Sequence, residues 1–142
     1  MMHLDIDLIV GPMPQADSSV LLLVPSAYTA KLLPEKSDSG QVRVFIQYVR
    51  EDPFAVDSTV SPFICEFLAG LCSIEEQIRS LGGEIRLGIY YDLEDTIVFP
   101  VYLSAECIRL LSKFNVGIDS TGYPCSEEDA PTSTNRKLQS MP

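Results

Sequence analysis

Apolar and polar positions alternate along residues 3 to 10, with Leu4, Ile6, Leu8 and Val10 on one side and His3, Asp5 and Asp7 on the other. A period of two assigns each set to one face of an extended chain, which predicts a half-buried β-strand that Gly11-Pro12 ends. After a polar loop, Val20 to Val24 is continuously apolar. Such a run suits a buried strand or the start of a helix continuing through Tyr28 to Leu33, and periodicity does not separate the two. The preferred reading is a strand, then a short helix from Ser26, capped by that serine and stopped by Pro34. Residues 35 to 40 are polar and end in Ser-Gly, a turn. Alternation returns at Val42, Val44, Ile46 and Tyr48, giving a strand that Asp52-Pro53 closes, with a loop expected from Phe54 to Thr59.

The period then changes. Ile64, Phe67, Leu71, Ile74, Ile78 and Leu81 recur at steps of three and four, predicting one long amphipathic helix. Thr59 or Ser61 can cap it, Pro62 fits its first turn, and Gly82-Gly83 can supply the left-handed residue that ends it. Gly70 within it implies close packing or a bend. Residues 84 to 91 alternate again through Ile85, Leu87, Ile89 and Tyr91. Beyond the charged turn 92 to 95, residues 96 to 103 predict a second strand forming a hairpin with the first, at an edge because of Pro100. Ser104 caps a further helix with Glu106 in its first turn and Cys107, Ile108, Leu111 and Phe114 as its buried stripe. Asn115 ends it, and Val116 to Asp119 form a short last strand. The fold class is α+β: a mostly antiparallel sheet of about five strands with two main helices packed on one face.

Composition sets the domain plan. The chain has 142 residues, 46% of them hydrophobic, enough for one core. Residues 1 to 125 read as a single domain. Residues 126 to 142 hold Ser, Glu, Asp, Thr, Pro and Asn with almost nothing apolar, so a disordered tail is expected there. No stretch reaches the roughly 18 consecutive apolar residues of a membrane span. The start, Met1-Met2-His3-Leu4-Asp5, lacks the basic and apolar regions of a secretory signal, which points to the cytoplasm.

Charge narrows the partners. Twenty acids against ten Lys and Arg give a formal net charge of -10, a field that repels phosphate backbones and anionic headgroups. Nucleic acid and membrane are therefore not expected as partners, whereas a basic protein is. The oligomeric state is expected to be monomer or homodimer.

Candidate chemistry is sparse. The four cysteines, Cys65, Cys72, Cys107 and Cys125, lack paired ligand spacing and read as reduced thiols, mostly buried. With His3 the single histidine, a zinc site is not expected, and no cofactor is. No nucleophile elbow, phosphate loop or metalloprotease motif occurs, so no catalytic residue is assigned. Cys107, near a helix start, could be an activated thiol, but its place on the apolar stripe favours packing. Asp5 and Asp7 share a strand face, and Asp92, Glu94 and Asp95 crowd a turn. These acids, with Tyr90, are the candidate partner-binding residues, since tyrosines with one wet end suit interfaces.

Two stretches carry a resemblance. One runs from Ile78-Arg79-Ser80-Leu81-Gly82-Gly83 to Leu87-Gly88-Ile89-Tyr90-Tyr91; the other runs from Leu103-Ser104-Ala105-Glu106 to Val116-Gly117-Ile118-Asp119. Over about residues 60 to 124 the chain resembles a bacterial domain family of unknown function. In that family a long helix ends at a Gly-rich break, a Tyr-bearing strand pairs with a second one, and an L-S-x-E helix leads into a strand bearing an aspartate and a tyrosine. The chain's own ending, Asp119-Ser120-Thr121-Gly122-Tyr123, is more widely spaced than the family's D-x-Y. The resemblance implies that fold and a bacterial source. By analogy with small acidic proteins of this kind, the expected function is an immunity-type module that neutralises a basic toxin or another cationic partner. The alternative is a small-ligand binder or enzyme with a cleft lined by carboxylates and tyrosines.

Overall fold

The computed structural model describes residues 2–35, 40–48, 54–56, 60–92, 94 and 101–125. Six strands form one mixed sheet: β1 (Met2–Pro14), β2 (Tyr28–Pro34), β3 (Gln41–Tyr48), β4 (Phe54–Val56), β5 (Gly83–Asp92) and β6 (Val116–Cys125). The order across it is β2-β3-β1-β5-β6, with β4 paired to the start of β1. Every pairing is antiparallel except β5 with β6, which are parallel and joined through α3 (Ala105–Lys113). The α+β class and the mostly antiparallel sheet are therefore as the alternation indicates.

The core gathers one face of each central strand. Leu4, Ile6, Leu8 and Val10 of β1, Val42, Val44 and Ile46 of β3, and Ile85, Leu87 and Ile89 of β5 form a single buried cluster with helix residues that include Ile64, Phe67, Ile78, Cys107 and Phe114. The alternation set these positions: side chains two apart share a face, so one strand commits its whole apolar set at once.

Several elements depart from the sequence reading. β1 does not stop at Gly11-Pro12; it continues to Pro14 with a register shift between Val10 and Met13, while the Gly11 N–H donates to the Gly82 carbonyl at 2.9 Å. A bulge absorbs the two residues that would break a regular ladder. The order of strand and helix between residues 15 and 34 is reversed. Gln15–Leu23 is a 3₁₀ helix whose Leu22 is 84% exposed, and Tyr28–Pro34 is the strand β2. Only Val20 of the apolar run is fully buried. The Tyr-Thr-Ala-Lys sequence instead lies along β3, and cross-strand pairing decides what a local helix signal could not. Within the stretch expected to be a loop, Phe54–Val56 pairs with β1.

The long helix is broken in two. α1 (Ser61–Ala69) and α2 (Glu75–Leu81) flank a short 3₁₀ segment, Cys72–Ile74. The Tyr28 hydroxyl lies where a Cβ on Gly70 would stand, and it donates to the Phe67 carbonyl at 2.6 Å. Burial, with Tyr48 beside it, pushes the Tyr28 hydroxyl's pKa up, so it stays a donor. Gly82, at φ 76°, ends α2 as expected. Gly83 is needed for a different reason: the Ile9 carbonyl oxygen sits 2.5 Å from where its Cβ would be.

The expected hairpin after β5 does not form along β5, because β1 occupies one of its sides and β6 the other. Residues 101 to 104 are in no strand, and 96 to 100 lie outside the described residues. The last strand is longer than its apolar start suggested, running on to Cys125. The expected tail, 126 to 142, lies outside the described residues, as does Thr59. Ser61 does not cap α1. Its hydroxyl donates to the Tyr102 carbonyl at 2.6 Å and accepts from the Ser104 N–H at 2.9 Å. Ser104 caps α3 as expected, accepting from the Cys107 N–H at 3.1 Å. Of that helix's expected stripe, Ile108 is 54% exposed and the other three are buried.

Candidate functional site

Residues opposed in neighbouring strands share a face of the sheet, so the register defines what stands on the side away from Leu4, Ile6 and Leu8. One row crosses five of the six strands: Thr29, Gln47, Asp7, Arg86 and Asp119. Beside it run Lys31, Phe45, Ile9 and Glu84 in one direction, and Asp5, Gly88 and Thr121, then His3, Tyr90 and Tyr123, in the other.

This face has two halves of different chemistry. Toward β2 and β3 it is cationic and aromatic. The Lys31 ammonium lies 5.2 Å from the centre of the Phe45 ring and the Arg86 guanidinium 5.7 Å from it, within the range of cation–π attraction. Arg86 Nε also donates to Asp7 Oδ1 at 3.1 Å, and register places Asp119 on its other side. Arg43 pairs with Glu35.

Toward the ends of β5 and β6 the face is acidic and tyrosine-bearing. The rings of Tyr90 and Tyr123 stack at 5.0 Å and 20° over Gly88, where a Cβ would lie 3.4 Å from one ring and 3.5 Å from the other. A glycine in mid-strand leaves a gap in the pleat, and here two aromatic rings cover it. Asp5 flanks the same gap. Asp92 continues the even-numbered face of β5 one step beyond Tyr90 and accepts a hydrogen bond from the Glu94 N–H at 2.8 Å, closing a local turn.

The six sequence-predicted residues are therefore distributed unequally. Asp5, Asp7, Tyr90 and Asp92 come to one face, and Glu94 is exposed just past its rim. Asp95 lies outside the described residues. Asp7 and Tyr90 are buried, at 7% and 5% exposure, so they shape the surface from beneath. The ring that meets solvent is that of Tyr123, 38% exposed. Tyr123, Asp119, Arg86 and Phe45 were not among the candidates, because their proximity depends on the parallel register of β6 and the central place of β1. The Asp119 and Tyr123 spacing was the one local signal available.

Among the described residues no group of three or more His, Cys, Asp or Glu is arranged to hold a metal. A shallow open depression of about 260 Å³, lined by Ile9, Gly11, Arg43, Leu81, Gly82, Gly83 and Glu84, lies at the opposite end of β5 from the tyrosine pair. Burial pushes the Cys107 thiol up to about 11, outweighing the Ser61 hydrogen bond that acts the other way, so at neutral pH it is a packed thiol and not a thiolate. None of the four cysteines is in a disulfide; Cys107 and Cys125 are buried, Cys65 is half-buried and Cys72 is exposed. No helix among the described residues is long and apolar enough to cross a membrane.

No family model, curated protein or solved structure matches this chain.

Proposed function

We propose that the protein is an acidic binding module of the bacterial cytoplasm that captures a basic protein partner, in the manner of an immunity protein neutralising a toxin. The observation that carries this reading is that Asp5, Asp92 and Asp119, from three strands, share one face of the sheet with the exposed Tyr123 ring, on a chain of net charge -10. Carboxylates at a solvated rim steer a cationic partner and fix its orientation, while a rigid tyrosine supplies contact area at small entropic cost. Tyr90 acts from below by stacking Tyr123 in place, and Arg86 pairs with Asp7.

The small-ligand alternative has the depression beside Arg43 in its favour, but at about 260 Å³ this space is below the roughly 300 Å³ at which ligand pockets begin. The deciding experiment is co-purification with the products of neighbouring genes at about 50 mM and about 500 mM salt, since screening acts on exposed charge. The partner should be retained at low salt and released at high salt, and the double variant Asp5→Asn/Asp119→Asn should reduce retention at low salt. Binding that ignores both salt and these substitutions overturns the proposal.

A further inference from the structure

The strands at the two ends of the order β2-β3-β1-β5-β6 are not equivalent. β2 has seven residues, with Lys31 at its centre and Pro34 at its end, the features that blunt a sheet edge, and the 3₁₀ helix Gln15–Leu23 lies beside it. β6 has ten residues and pairs with β5 throughout; among the described residues no strand lies on its other side. Asp119 to Pro124 are all exposed, and Pro124 comes only next to the strand's end. Outward-facing N–H and C=O groups along such an edge are a template for one more strand.

We infer that β6 receives an extended basic segment of the partner protein, which joins the sheet as an added strand; this deepens the acidic-module reading and rests on it. Charge selects the occupant. β6 contains one charged residue, Asp119, and no cation. Asp5 and Asp92 stand on the same face, and Glu127, Glu128 and Asp129 follow β6 in the sequence. A second copy of this chain would bring another charge of -10 against the same edge, which disfavours self-pairing. Alternation then specifies the segment. Every second side chain of the added strand falls on the face of Asp119, Thr121 and Tyr123, where Lys or Arg meets a carboxylate and an exposed ring. The intervening side chains fall on the face of Ile118, which suits neutral or apolar residues.

The test uses the whole protein and two end-blocked peptides of about eight residues, a typical strand length. One alternates Lys and Val; the other has the same sequence with every backbone amide N-methylated, keeping the charge and removing the donors. Each is titrated at low salt while backbone amide shifts and hydrogen exchange are followed by NMR. The parent peptide should bind, shift and protect β6 amides and leave β2 unchanged, and the methylated peptide should bind at least about tenfold more weakly, a difference of about 1.4 kcal/mol. Equal affinity of the two, or shifts that bypass β6, overturns strand addition and leaves the acidic-module reading intact. Failure of both peptides to bind at low salt overturns both.

Discussion

The two faces of β1 differ by one residue of offset and by almost everything else. Leu4, Leu8 and Val10 are wholly inaccessible and Ile6 nearly so, packed against helix side chains, while Asp5, Asp7 and Ile9 look onto a surface built from an ion pair, cations over a phenyl ring and two stacked tyrosines. The first face obtains its free energy from area removed from water, which is non-directional and tolerant of how a partner side chain is shaped. The second depends on pairwise geometry, where each contribution is small and a single atom's placement matters. Stability should therefore reside on one face and recognition on the other.

The comparison breaks most visibly at Phe67, which is fully buried. Phe67→Ala should cost about 3–5 kcal/mol in urea unfolding, and a cost as small as that of changes on the opposite face would mean that the core is not where it is placed here. A pH titration probes the same side. The Cys107 thiol is raised from 9.0 to about 11 in the folded state, so its contribution is complete below the unfolded value and lost as pH rises toward the folded one. Unfolding midpoints should fall between pH about 9 and 11 by the equivalent of roughly 2–3 kcal/mol, and Cys107→Ala should flatten that part of the profile.

On the other face the effects shrink. Arg86 is half exposed, so Asp7→Asn should cost only about 1 kcal/mol, and that loss should largely vanish when Arg86→Met is already present. Smallest of all is Gly88→Ala. Its methyl would meet the Tyr123 and Tyr90 rings and the Asp5 Cβ at 3.4, 3.5 and 3.6 Å, ordinary contact distances, so stability should change by less than about 0.5 kcal/mol. A loss of more than that, measured by thermal unfolding, would show that the tyrosine pair has no room to accept a side chain beneath it.

Legibility in the sequence followed the same division. The alternation of residues 3 to 10, 42 to 48 and 84 to 91 identified three central strands, because burial of one face enforces a period of two. The apolar stripe of residues 64 to 81 identified the helical region but not its break, since Gly70 yields to a tyrosine brought from β2, far away in sequence. Val20 to Val24 misleads because a continuous apolar run implies burial, whereas Leu22 and Leu23 face solvent. At the candidate site, Asp5, Asp7, Tyr90 and Asp92 were found from local crowding and alternation. Tyr123 and Asp119 became neighbours of that set only through a parallel pairing that crosses α3, and no local pattern encodes which strand lies next to which.

The central position of β1 has a consequence for how the chain is made. Its two long neighbours begin at Gln41 and Gly83, so the strand synthesised before either must wait, with its apolar face uncovered, until the chain beyond them has left the ribosome. The β5-α3-β6 unit can assemble from contiguous chain, but the sheet closes only when β1 is recovered by strands made well after it. Such long-range closure slows folding. The acids at positions 5 and 7, one residue out of step with the leucines, keep that waiting strand charged in every register it could wrongly adopt.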